Sequence, residues 1–532
     1  MNFALVLLVL GAVADETPAV DQPVSPAPEP VVSTPVSAPV AAEAPTPAAP
    51  APSVEKKGLA VTAGEFEVKI AATLRLAQSM SSTILLDDLG TTERVTPFEM
   101  RVRLAPEIKF RSLSLISEFD VATGAVFGTP EDTVIATARV PTPAFKPAEL
   151  RQLYLMYRWA TGGARLGVQT SNFGLGMLAN AGAKDGEAGD FGIQHGGAVV
   201  ARAAVLGRPL FSLGGAWRAV EPLAAFDLVV HDATADLLSG DRALQGILGL
   251  RFNVDDDHQF GITAIYRNQR RDNASPNERS TDAFVADLFA RWTVLKTGDS
   301  SLTLSGELAA ITGTTTNSRS DNAEILAVRQ LGLVGKVNYQ RGRFGLLFDG
   351  GFASGDQNPY DATISNFRFD SNYKVGLVLF DQVLGYQTAR SGWRAADPQL
   401  TGVPPEGIDL LPSAGAVTGA WYLFPRAKYG FSEWFDVYGG PLFAFTTAQL
   451  TDPFNTRING GTPVNYLGGK PGNYLGTELD LGLSVHGSPT SYLHISATLE
   501  GGVLLPGDAF KTASGANMGA VGVGRLRITA AL

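Results

Sequence analysis

No cysteine occurs among the 532 residues, which excludes a disulfide framework and any thiolate-based metal or nucleophile chemistry. Histidine is scarce: His195, His231, His258, His486 and His494 are the full set. Only His486 and His494 flank a common short turn, and without a third ligand they do not make a metal site. No spacing sets a base beside a nucleophile as a hydrolase requires. The glycines of 174–180 lack the Gly-Lys-Ser/Thr ending of a phosphate loop. Asp185, Glu187 and Asp190 are read as solvated loop carboxylates rather than calcium ligands. No enzyme activity, metal or cofactor is therefore expected.

Charge is also sparse. Asp, Glu, Lys and Arg make up 18% of the chain, below the roughly 25% of soluble domains. The net charge of −10 argues against a nucleic-acid partner, which leaves a basic footprint. Beyond the N-terminus no apolar run approaches the roughly 18 residues of a membrane helix. Yet 45% of residues are hydrophobic. They are spread evenly, as in a barrel where every second strand residue meets lipid.

Residues 1–14 read as a signal peptide, with an apolar stretch over 4–13 and Ala12-Val13-Ala14 as the cleavage site. The start, Met1-Asn2-Phe3, lacks the usual Lys or Arg. Residues 15–57 are mostly Ala, Pro, Val, Ser, Thr and Glu, a composition that cannot bury a core and predicts a disordered linker. At roughly 3.1 Å per residue it reaches on the order of 100 Å. It reads as a spacer, or more sharply as a tether making a periplasmic or cell-wall contact.

Residues 58–532 follow a period of two. Phe66, Val68, Ile70, Ala72, Leu74 and Leu76 share one face, and Glu67, Lys69, Thr73 and Arg75 the other. Phe98, Met100, Val102, Leu104, Ile108 and Phe110 likewise oppose Glu99, Arg101, Arg103, Glu107 and Lys109. The alternation runs to Leu526, Ile528, Ala530 and Leu532. Tight links at 111–112, 161–163, 207–209, 255–257, 296–300, 341–342, 432–433 and 487–490 alternate with long polar segments such as 81–94, 123–149, 171–197 and 270–281. Eight short turns imply nine long-loop hairpins, hence about 18 antiparallel strands. The expected fold is an all-β, transmembrane, up-and-down antiparallel barrel with periplasmic termini in the outer membrane of a Gram-negative bacterium. Tyr157, Trp159, Trp292, Tyr339, Tyr429 and Trp434 lie near short turns, as an interfacial aromatic belt would. Residues 354–415 break the rhythm and read as one long outer loop folding over or into the mouth. The alternative is an extra strand over 374–386.

Strand parity sorts the charges. The basic pore-lining set is Lys69, Arg75, Arg101, Arg103, Lys109, Arg158, Arg165, Arg251, Arg267, Arg291, Lys336, Arg343, Arg426, Lys428, Arg525 and Arg527. The acidic set is Glu67, Glu99, Glu107, Glu118, Asp120, Asp287, Glu307, Asp349, Glu478, Asp480 and Glu500. Bases outnumber acids there, which favours anions in a pore. Cross-strand pairing of the same groups is the competing reading.

Two stretches carry a resemblance. Tyr474-Leu-Gly-Thr-Glu-Leu-Asp-Leu-Gly482 with Leu499-Glu-Gly-Gly-Val-Leu-Leu-Pro-Gly-Asp-Ala-Phe510 resembles the closing hairpin of the alginate-export family of 18-stranded outer-membrane porins. Asn172-Phe-Gly-Leu-Gly-Met-Leu-Ala-Asn180 with Gly189-Asp190, and Ser354-Gly-Asp356 before 373–390, is similar to uncharacterised outer-membrane barrels related to it. The resemblance implies a barrel passing an anionic polysaccharide or other solute, with Glu478, Asp480 and Asp508 as wall or loop-anchor residues. Two departures stand out: the final residue is Leu532 where such barrels commonly have Phe, and the Pro/Ala-rich linker is not shared. With low-complexity sequence before residue 58, no plug domain is expected ahead of the barrel. The function expected is a porin-like channel for passive passage of small or anionic solutes, with polysaccharide export a further possibility. The alternative is a non-conducting surface barrel tethered by its linker. Expected partners are outer-membrane lipid, lipopolysaccharide and the barrel-assembly machinery.

Overall fold

A computed structural model describes residues 59–129, 140–183, 189–255, 257–271, 279–316, 325–358, 361–402 and 407–532. The expected signal peptide and linker, and the acidic residues Asp185 and Glu187, lie outside the described residues.

One sheet holds twenty strands, of which Leu59–Ala63 and Thr363–Ile364 are short additions, leaving eighteen in the wall. In chain order these are β1 Phe66–Ser81, β2 Phe98–Phe110, β3 Leu113–Phe127, β4 Glu149–Trp159, β5 Gly162–Thr170, β6 Val199–Gly207, β7 Val220–His231, β8 Asp241–Asp255 and β9 His258–Arg271. They continue as β10 Arg279–Thr297, β11 Ser300–Thr315, β12 Leu326–Arg341, β13 Phe344–Ala353, β14 Ala420–Gly430, β15 Phe435–Thr446, β16 Tyr474–Thr490, β17 Leu493–Pro506 and β18 Val521–Ala531. Each pairs antiparallel with its sequence neighbours, and β18 returns to β1 through Thr73↔Ala531 and Ser81↔Val523. Closure leaves no edge amides facing hydrocarbon, where no water could satisfy them.

The seam has a second layer. Leu532 donates its N–H to the Ala72 carbonyl at 2.8 Å, and the sheet then continues through Leu59↔Ile70 to Ala63↔Phe66. The short N-terminal strand thus takes over the edge of β1 where the C-terminal strand stops.

The period-two pattern maps onto the wall as expected. Leu166, Leu248, Leu481 and Leu499 are more than half exposed on the outer face. Inward neighbours such as Arg101, Glu478 and Glu500 are buried. Aromatics cluster at the strand ends: Tyr157 with Trp159, Tyr429 with Phe431, and Phe431 with Phe435 near the short turns, Trp421 stacked on Phe445 at 4.4 Å at the loop end. No helix of the described residues is long and apolar enough to cross a membrane, which says nothing against strands doing so. A closed sheet with this apolar exterior is a transmembrane β-barrel.

Three expectations need correction. Residues 374–386 form no strand: a π-helical turn, Leu379–Leu384, runs into helix α1, Gly385–Ala396. Leu377, Val378, Leu379 and Phe380 are apolar at consecutive positions and all buried. A wall strand with one wet face cannot accept such a run, but an element buried all round can. The link at 207–209 is longer than expected, with two 3-10 turns between Gly207 and Val220. Arg343 lies in the β12–β13 turn rather than the wall and donates to the Phe431 carbonyl at 3.1 Å.

Candidate functional site: the lumen and its two inner segments

Between β5 and β6, the described residues 171–183 and 189–198 run round the inside of the wall. Phe173 packs edge-on against Phe289 of β10, with Arg251 of β8 over its ring. Next, the Glu307 carboxylate of β11 accepts backbone N–H groups from Leu175, Met177 and Leu178. Gly189 then offers its carbonyl to Arg426 of β14, and Phe191 sits between Phe424 of β14 and Tyr438 of β15. Arg527 of β18 holds the Gly192 carbonyl at 3.1 Å. Arg75 of β1 and Arg101 of β2 share the Gln194 carbonyl at 2.7 and 3.3 Å, and Arg151 of β4 takes the Gly197 carbonyl at 2.6 Å. The segment thus meets the wall strands in their order around the barrel and forms an inner ring.

Loop backbone in a lumen has unpaired carbonyls and amides, and burying them without partners costs about 1–3 kcal/mol each. Here the wall charges supply the partners. Guanidinium groups take carbonyls, and carboxylates take amides. Asp370 lies opposite, accepting the Asn180 amide at 3.1 Å and the Asn372 amide at 2.8 Å; its burial pushes its pKa up to about 6. Burial also holds the His195 pKa below its usual value, against the opposing pull of Glu99 at 2.5 Å.

The described residues of the second segment, 354–358, 361–402 and 407–419 between β13 and β14, enter the mouth as expected of a folded-in loop. Glu478 of β16 accepts the amides of Val378 and Leu379, both at 2.7 Å, and that of Leu377. Asp349 of β13 accepts the hydroxyls of Tyr373 at 3.1 Å and Tyr422 at 2.8 Å. Lys374 pairs with Asp381 at 2.6 Å, and Arg525 reaches the same carboxylate at 3.5 Å. Helix α1 is nearly all buried and meets the other outer loops. Gln387 donates to the Leu85 carbonyl at 2.9 Å, Arg390 to Asp87 at 2.8 Å, and Arg394 and Ser391 pair with Asp88 and Asp452. Burial opposes the ionised Asp87, but hydrogen bonds from Arg390 and Thr91 outweigh it and hold its pKa down. One hydrophobic core unites Leu377, Phe380 and Tyr386 with wall residues Phe424 and Leu504 and loop residue Phe510. This segment is a packed plug over part of the lumen.

The predicted pore-lining set therefore splits. Arg75, Arg101, Arg426, Arg527, Glu307 and Glu478 anchor the two segments. Arg103 pairs with Glu118 at 3.1 Å and Asp120 at 2.7 Å. Glu500 faces Arg525 at 3.7 Å, Arg527 at 3.5 Å and the Tyr438 hydroxyl at 2.9 Å. Asp480 lies buried beside Gly502 and Val378. Asp287 is buried in β10, one strand from Glu307. Glu67 pairs with Lys69 and Lys109, Lys336 with Asp349, Lys428 with Asp436 and Arg267 with Asp232. Glu107 lies opposite Lys69 and Ile116 in register. Among the described residues no ion pair engages Arg158, Arg165 or Arg291, and Arg251, lying over the Phe173 ring, stands opposite Glu221 in register and within its electrostatic range. Arg158 and Arg165 lie in electrostatic range of Tyr154, as do Glu107 and Glu118, and Arg165 is in range of Arg251.

Sequence reading missed Arg151. It shares parity with outward Leu153 and Leu155, but a register shift opposite Glu118 and Phe119 turns it inward. Bulges re-aim side chains in this way and leave no mark in the pattern. Tyr373, Tyr422 and Tyr438 were also missed. Asp508 accepts the Tyr474 amide at 2.8 Å.

The sequence matches no known family profile and no curated protein. Among solved structures, the chain is similar to OccAB1 of Acinetobacter baumannii, with TM-score 0.46 and 10% identity over 87% of this chain and 96% of that one. OprD of Pseudomonas aeruginosa gives TM-score 0.44 and 10% identity over 87% and 95%. The outer membrane protein OpdK of the same organism gives 0.44 and 11% over 87% and 98%. None of these comparisons supports the alginate-export subtype.

Proposed function

We propose that the chain is an outer-membrane, porin-like channel that passes small solutes and prefers anions. The observation that carries this is the division of lumen arginines. Most are held by loop carbonyls or carboxylates, while Arg158, Arg165 and Arg291 on β4, β5 and β10 enter no ion pair among the described residues. In a low-dielectric wall, unpaired cations attract anions into the path. The inner ring and the plug crowd the lumen, which favours small solutes over the polymer that a polysaccharide exporter would carry.

The test is the zero-current potential of purified barrels in planar bilayers under a KCl gradient. Wild type is expected to prefer chloride, and the triple variant Arg158→Glu, Arg165→Glu, Arg291→Glu to prefer potassium. Equal selectivity of the two proteins would refute the assignment. A second reading, a barrel closed by its plug, is favoured by the hydrophobic core across the mouth. It predicts no conductance until residues 357–417 are deleted.

A further inference from the structure

At the loop end of the wall, a row of aromatic rings crosses β13 to β16. Phe352 lies opposite Trp421, Trp421 opposite Phe445, and Phe445 opposite Tyr474 in register. Trp421 and Phe445 stack nearly parallel at 4.4 Å, and Phe445 meets Tyr474 at 4.9 Å. Their chain neighbours Tyr422, Ala444 and Leu475 are buried, so the row faces away from the lumen, with Trp421 exposed. A belt at the membrane border accounts for the rings. It does not account for the recess of about 600 Å³ that Trp421 and Phe445 share with Gln357, Gln449 and Asn473. No charged residue lines this recess. The three carboxamide residues are exposed, and among the described residues neither their side chains nor the Trp421 indole N–H enters a hydrogen bond. The floor is fixed. Thr447 donates its hydroxyl to the Ala353 carbonyl at 2.7 Å and its amide to the Gly419 carbonyl at 3.0 Å. Thr446 donates its amide to the Asn473 carbonyl at 2.9 Å. These bonds tie the ends of four strands together, so the recess is preformed.

We propose that this recess binds a neutral sugar ring of an outer-leaflet glycolipid, its C–H face on the Trp421 indole and its hydroxyls on the carboxamides. The lining selects the class. A phosphate needs cations and a metal ion needs carboxylates, and neither lines the recess. An acyl chain would cover the carboxamides without pairing them. Each carboxamide offers two donors and an acceptor, which matches a polyol whose hydroxyls both donate and accept. The C–H face of a pyranose is apolar, and an aromatic ring with a polar handle suits such a two-natured surface. The source follows from placement: the recess opens on the outside of the wall at the loop end, so its ligand comes from the leaflet rather than through the lumen. The proposal rests on the membrane placement above and is independent of the channel reading.

The experiment is native mass spectrometry of the full chain released from detergent after incubation with one of two glycolipids. One is lipopolysaccharide bearing a core of neutral hexoses, the other is lipid A, which lacks that core. Folding of every variant is checked by heat-modifiable gel migration. Wild type is expected to retain the core-bearing glycolipid roughly 10-fold better than lipid A, and the freed core oligosaccharide at millimolar concentration should compete with it. The double variant Gln449→Ala, Asn473→Ala should lose that preference roughly 10-fold, the worth of two ordinary hydrogen bonds. Trp421→Ala should lose it to a similar extent, while lipid A retention stays unchanged in both variants. Equal retention of the two glycolipids by wild type, no competition by the freed oligosaccharide, or an undiminished preference in either variant would each overturn the proposal. Tighter binding of the freed oligosaccharide than of the whole glycolipid would overturn the assignment to the leaflet.

Discussion

Glu478 of β16 accepts the amide hydrogen of Leu379 at 2.7 Å, from a residue 99 positions away in the chain. The same carboxylate takes the amides of Leu377 and Val378. A single wall side chain therefore fixes the entry of the plug, just before its π-helical turn.

Replacing Glu478 by Ala strands three buried amides, at a cost of about 3 kcal/mol or more. The barrel itself, held by strand pairing, should stay closed. Hydrogen exchange over 375–390 is expected to rise while exchange in β16 and β17 does not, and single-channel conductance should increase. Unchanged exchange over 375–390 would show that the hydrophobic core alone holds the plug.

Gly182 has φ of +63°, and a Cβ there would fall 1.7 Å from the His195 carbonyl oxygen. Gly182→Ala should therefore detach the inner ring from Arg101, which donates to the Gly182 carbonyl at 3.2 Å. The expected outcome is new proteolytic cleavage within 171–198 and larger conductance, with heat-modifiable migration retained. A fully protected ring in this variant would show that the inner ring does not depend on the backbone at Gly182.

Burial pushes Asp452 up to about 6, despite hydrogen bonds from the Ser391 hydroxyl and the Phe454 amide and the nearby Arg394. An unfolded Asp titrates near 3.9. The docked loop therefore binds more protons than the detached one between about pH 4 and 6, and its stability falls as pH rises through that window, then levels off. Exchange protection over 391–397 and 452–456 should decline in this way after correction for intrinsic rates. Asp452→Asn should flatten the profile, and a profile rising with pH would refute the assignment.

Leu499 is 53% exposed midway along β17, with buried Thr498 and Glu500 on either side. An arginine on the lipid face near mid-membrane costs about 2–4 kcal/mol. Leu499→Arg should thus lower the denaturant midpoint of barrels folded into vesicles by a corresponding amount. Near-zero change would mean that this face does not meet hydrocarbon.

The strand count, the wall parity and the inward charges were legible in the sequence because a strand has a fixed period and a barrel imposes one wet and one greasy face along it. Phe66 to Leu76 and Leu526 to Leu532 read correctly without any knowledge of their neighbours. The roles of the charges were not legible. Arg101 and Arg158 look alike in sequence, yet one clamps two loop carbonyls and the other enters no ion pair among the described residues. Arg151 was hidden by a bulge, and the helix over 385–396 by its place inside a barrel rather than in its wall. The sequence by itself determined a closed wall, since alternation is local. Only tertiary structure decided which side chains meet the path, because that depends on where two distant segments find partners for their buried amides and carbonyls.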